Sequence, residues 1–141
     1  MASAKRQHAK INLHHGDLPA HINLGPEIAI DTEAMGLKNN RDRLCLVQLT
    51  DGKGEVHLVK FEKDKYDAPN LVNLLTDKQR IKIFHFARFD MALLKASLGV
   101  MPSPVYCTKI ASRLARTYSN DHGLKSIVRE LIGADISKTS Q

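Results

Sequence analysis

The sequence predicts a mixed α/β sheet with helices on both faces. Two apolar runs, Leu44–Thr50 and Val56–Val59, flank Asp51-Gly52-Lys53-Gly54, which is the signature of an antiparallel hairpin turning on glycine. After Asp67 the apolar spacing becomes helical, and short strands alternate with those helices. The run Leu44-Cys45-Leu46-Val47 has no polar side, so its sheet is expected to be covered on both faces. Antiparallel pairing followed by strand–helix alternation argues such a mixed sheet.

Residues 1–26 have little periodicity and carry turn formers at Gly16-Asp17, Pro19 and Gly25-Pro26, with one short strand at Ile11–Leu13. Glu27–Glu33 opens with Ile28-Ala29-Ile30, an apolar run fitting a buried strand. The hairpin follows. Asp67-Ala68-Pro69 reads as an N-cap with proline in the first turn, and Leu71, Leu74 and Leu75 follow at helical spacing. Ile81–Phe84 is a short strand, and Ala87–Leu98 is a helix closed by Gly99. Val105-Tyr106 is a further short strand leading into a helix over Thr108–Arg116. A last helix aligns Leu124, Ile127, Val128 and Leu131 on one stripe and stops at Gly133. No repeat or low-complexity tract intervenes, so residues 1–141 read as one domain.

Composition narrows the function classes. With 43% hydrophobic and 26% charged residues, the chain is an ordinary globular protein and not a fibrous or disordered one. No apolar run approaches the ~18 residues of a membrane span, and the first ten residues are polar and basic, so a cytoplasmic protein with no membrane partner is expected. Cys45 and Cys107 have no motif partner and read as small buried hydrophobes in a reducing compartment. Lys plus Arg is 21 against 15 acids, a net +6, which favours a polyanionic partner such as nucleic acid. Aromatics at 5% with no Trp disfavour a base-stacking platform. His14, His15, His21 and His122 lack metal-ligand spacing and read as surface residues.

The chemistry-bearing residues are Asp31-Thr32-Glu33. On a strand, residues i and i+2 share a face, so the two carboxylates converge while Thr32 faces away. Two adjacent acids repel unless a cation joins them, and carboxylate oxygens suit Mg²⁺ or Mn²⁺. By itself an Asp-x-Glu is ordinarily a solvated pair. Asp90 in the next helix is a third acid, and its neighbours at i+3 and i+4 are Leu93 and Leu94, which turns it inward. Asp31, Glu33 and Asp90 together are expected to form a metal site. Lys109, Arg113 and Arg116 recur at i, i+4 and i+7 as a basic stripe, a solvated face or a weak phosphate-contacting one.

Three separated segments in order resemble the motifs of the ribonuclease D family. They are Ile28–Glu33 with Gly36-Leu37 and Arg43–Leu49; Phe84-His85-Phe86-Ala87-Arg88-Phe89-Asp90; and Tyr106–Ala111 with His122–Lys125. The resemblance implies a ribonuclease H-like fold and a 3′→5′ exonuclease that hydrolyses RNA 3′ ends to nucleoside 5′-monophosphates with two divalent ions. Asp31, Glu33 and Asp90 would be catalytic and metal-holding, and Thr32, Leu37, His85 and Phe89 would meet substrate. Single-stranded RNA 3′ ends are the implied partner, tRNA-like precursors among them, with single-stranded DNA as a further one. The family's third motif, a Tyr-x-x-x-Asp supplying a fourth acid, is absent from the 141 residues. The chain therefore reads as a form shortened before that motif, with its C-terminal helices incomplete. The alternative is a module that binds nucleic acid without turning it over.

Overall fold

The computed structural model describes residues 8–38 and 41–136. Its strands are β1 (Lys10–His15), β2 (Glu27–Ala34), β3 (Leu44–Thr50), β4 (Glu55–Lys60), β5 (Ile81–Phe84) and β6 (Val105–Cys107). Its helices are α1 (Pro69–Thr76), α2 (Ala87–Leu98), α3 (Thr108–Ala115) and α4 (Leu124–Ile132). The strands form one sheet in the order β1-β4-β3-β2-β5-β6. β2, β3 and β4 are an antiparallel meander, while β1 joins β4 in parallel and β5 and β6 extend β2 in parallel. The expected mixed sheet is present. Gly99 and Gly133 close α2 and α4 with left-handed backbone at φ 74° and 71°, a conformation in which a Cβ costs energy.

Alternation along the strands assigns the two faces. Ile28, Ile30, Thr32, Val47, Leu49, Val59 and Phe84 are buried together, and Leu71 and Leu75 of α1 and Leu93 and Leu94 of α2 complete that core. The opposite face carries Ala29, Asp31 and Glu33 in the open, with Ile11, Leu13, Ile81 and Tyr106 exposed around them. Neither α1 nor α2 supplies the cover that β3's composition calls for there, and Leu46 and Gln48 are only half-buried.

Two polar features complete the packed face from positions that the chain pattern hides. Lys82 is fully buried, because β5 places it on the same side as Phe84. Its ammonium donates to the carbonyls of Asp77, Arg80 and Ser103 at 2.5, 2.7 and 2.8 Å, so all three protons are used. Helix α1 is capped from afar. Asp67 is not its N-cap; Ala68 holds that position and makes no side-chain bond. The Asp17 carboxylate instead accepts from the N–H groups of Asn70 and Leu71 at 3.0 and 2.9 Å, and from Leu18 N–H at 2.8 Å.

Candidate active site

The site forms where β2 parts from β5. Their pairing ends at Ala29 with Ile83, after which β2 runs on to Asp31, Thr32 and Glu33. Past β5 the chain turns through Phe86, whose left-handed backbone (φ 64°, ψ 53°) is costly for an aromatic residue. That turn starts α2 beside the end of β2 and brings Asp90, in its first turn, against Thr32. One Asp90 oxygen accepts from Thr32 N–H at 3.1 Å and from Thr32 Oγ1 at 2.5 Å.

Asp90 is 4% exposed. Burial pushes its carboxyl up to about 6; the Thr32 hydroxyl bond opposes this, and the negative charge of Asp31 adds to it. A buried acid beside a second acid resists ionisation until a cation shares the charge. All-oxygen donors suit a hard divalent ion, so the donor chemistry of Asp31, Glu33 and Asp90 fits Mg²⁺ or Mn²⁺. The geometry is less closed than the sequence suggests. Only Asp90 looks inward; Asp31 and Glu33 lie exposed on the open sheet face. Among the described residues, no three His, Cys, Asp or Glu side chains stand close enough together to hold one ion.

The other expected site residues divide. Thr32 is buried, facing away from Asp31 and Glu33, so it holds Asp90 in place and offers nothing to a ligand on the open face. Leu37 projects from the loop after β2 and is 85% exposed. Phe89 is half-buried against the core. His85 is half-buried, with Nδ1 2.9 Å from Thr108 Oγ1. Burial first, then the Lys109 charge, lower its pKa, and the His122 main chain opposes them. The basic stripe is broken. Arg113 is exposed and Lys109 lies over the Phe86 ring at 4.6 Å, but Arg116 is buried against Glu130, Ser112 and the Asp121 carbonyl. Its guanidinium is spent on protein partners and cannot face phosphate from the same side.

Two histidines expected on the surface are internal partners. His122 Nδ1 lies 2.8 Å from the buried Ser112 Oγ, and His14 stacks on the buried His57 at 5.3 Å between ring centroids. Neither pairing has a spacing signal, since each joins residues on different elements. Thr108 is a further residue that sequence reasoning misses. It sits between His85 and the Phe84 carbonyl, and its place directly after β6 is the available clue.

Residues 9–141 match the family described as 3′-5′ exonuclease. Ribonuclease D of Gluconacetobacter diazotrophicus is 34% identical over 113 residues, which make up 80% of this chain and 28% of that protein. Among solved structures, Brucella melitensis NrnC bound to pGG is similar with a TM-score of 0.89 at 50% identity, covering 94% of this chain and 66% of that one. The same Brucella protein with bound Mg²⁺ gives 0.87 at 49% identity, covering 93% and 66%. Escherichia coli RNase D gives 0.64 at 27% identity, covering 81% and 30%. The chain thus spans less than a third of each of these two ribonucleases D.

Proposed function

The chain belongs to the 3′-5′ exonuclease family, and from that membership we propose that its site hydrolyses single-stranded RNA from the 3′ end to nucleoside 5′-monophosphates. The observation that supports this best is the buried Asp90 carboxyl docked on the strand that carries Asp31 and Glu33. Those three acids would hold Mg²⁺ or Mn²⁺, two ions by the family resemblance, and such ions activate the attacking water and neutralise charge on the leaving 3′-oxygen. Thr32 orients Asp90 through two hydrogen bonds. Leu37, exposed on the loop after β2, would abut a terminal base, while Lys109 and the exposed Arg113 would attract the phosphate backbone. Because Brucella NrnC is solved with pGG, we take pGG as well as longer strands to be substrate.

A second reading is binding without turnover. It is favoured by the open arrangement of the acids, with no three ligating side chains together among the described residues. The deciding assay incubates pGG and a 5′-labelled single-stranded RNA with Mg²⁺, with Mn²⁺, or with chelator. Stepwise 3′ shortening that needs metal and disappears in Asp31→Ala and Asp90→Asn supports the enzyme reading. Retention of RNA with no shortening supports the second. Metal-independent cleavage, or no binding, defeats both.

A further inference from the structure

Beyond the acids, and resting on the exonuclease reading, the site edge carries one strained aromatic with no task in the chemistry above. Among the described residues, Asp64 and Phe86 are the non-glycine positions with positive φ, at 60° and 64°. A short polar side chain such as aspartate supports that backbone with local hydrogen bonds, which a bulky ring cannot do. Glycine would adopt it freely. Packing does not account for the ring either, because Phe86 is 49% exposed. What the ring does meet is a cation: Lys109 Nζ lies over it, 4.6 Å from the centroid. Among the described residues no carboxylate forms an ion pair with Lys109. The pair stands on the same edge as the acids. β2, β5 and β6 run parallel, so their ends bring Asp31 and Glu33, Phe86 and Lys109 to one edge of the sheet. Ligand crevices of open α/β sheets form at that edge. Phe86 is also the N-cap of α2, one turn before Asp90.

We propose that Phe86 is a positioning residue: its ring holds the Lys109 ammonium at the carboxyl edge of the parallel strands, ready for a phosphate of the bound RNA. Lysine carries its charge on a flexible stem, and ordering that stem beforehand lowers the entropy lost when the strand arrives. An aromatic face attracts a cation without neutralising it, so the charge stays available to a phosphate. A carboxylate in the same place would cancel it. The left-handed turn at Phe86 is what sets the ring under Lys109, and the backbone strain is retained for that placement.

The test follows salt dependence, which a packing role would not move. Affinity for a single-stranded RNA with a fluorescent 5′ label is measured by anisotropy, in chelator, at several salt concentrations. The chains are the wild type, Phe86→Leu, Phe86→Trp, Lys109→Ala and the double variant of Phe86→Leu with Lys109→Ala. Phe86→Leu removes no charge, yet binding at low salt should weaken about 3-fold. Its slope of log K against log salt should also become shallower, toward the loss of about 0.7 expected for Lys109→Ala. Phe86→Trp should keep the wild-type slope. In the double variant the leucine should add nothing to Lys109→Ala. Phe86→Gly, which relieves the turn, should melt at or above the wild-type temperature and share the shallow slope. A wild-type slope in Phe86→Leu overturns the proposal. So does a leucine effect that persists without Lys109, which assigns the ring to direct contact with a base. A Phe86→Gly chain that melts well below the wild type at an unchanged slope assigns the ring to packing and overturns it too. Shortening of the same RNA with Mg²⁺ is read separately. Its absence in the wild type defeats the exonuclease reading, while the slopes still decide whether Phe86 positions Lys109.

Discussion

Asp90 shows how the burial of one side chain couples stability to pH. Its folded-state pKa is raised, so the metal-free folded chain holds the proton more tightly than the unfolded chain does. Stability from this group therefore falls as pH climbs from the usual carboxylate range to about 6, and is level above that. Asp90→Asn keeps an oxygen for Thr32 and removes the ionisation. Without metal, the variant should melt a few degrees above the wild type at pH 7.5 and close to it at pH 4. With Mg²⁺ the order should reverse if Asp90 holds the ion as proposed, because linkage gives about 2.7 kcal/mol at 100 times Kd. Thermal melts across pH, with and without Mg²⁺, check this; a wild type that gains nothing from metal at any pH would remove Asp90 from the site. The residue is legible in the sequence through its inward neighbours Leu93 and Leu94. The same alternation that sets Thr32 opposite Asp31 and Glu33 also argues against a substrate role for Thr32. Lys82 and Arg116 are illegible, since their burial depends on carbonyl and carboxylate partners that folding brings in from other elements.

At the scale of elements, strand and helix limits are legible because local chemistry sets them. Glycines close α2 and α4, the Asp51–Gly54 turn defines β3 and β4, and Pro69 begins α1. The capping of α1 is not legible, because it comes from Asp17, more than fifty residues earlier. Asp17→Ala should cost about 1–2 kcal/mol in urea unfolding, since it frees three N–H groups. Asp67→Ala should stay within about 0.5 kcal/mol. Equal effects would contradict the capping geometry.

For the whole molecule, the net +6 predicts nucleic-acid binding that weakens with salt. Each single-strand phosphate that a variant no longer neutralises should change the slope of log K against log salt by about 0.7. Lys109→Ala and Arg113→Ala should each make the slope shallower at an unchanged melting temperature. Arg116→Ala should lower the melting temperature first, because it leaves Glu130 without its ion pair and Ser112 without a donor. Filter binding at several salt concentrations, paired with melts, separates the two classes of arginine.

The open sheet face also governs how copies of the chain behave toward one another in solution. Ile11, Leu13, Ile81 and Tyr106 present apolar surface that water wets poorly, and like charge is what keeps two such faces apart. Colloidal stability then depends on conditions that leave the fold intact. Raising the pH toward the isoelectric point near 9.4, or screening charge with about 1 M salt, should turn the second virial coefficient negative and bring on light scattering before any loss of helix signal. Leu13→Lys should restore mutual repulsion; if scattering rises as readily in that variant, the attraction arises elsewhere on the surface.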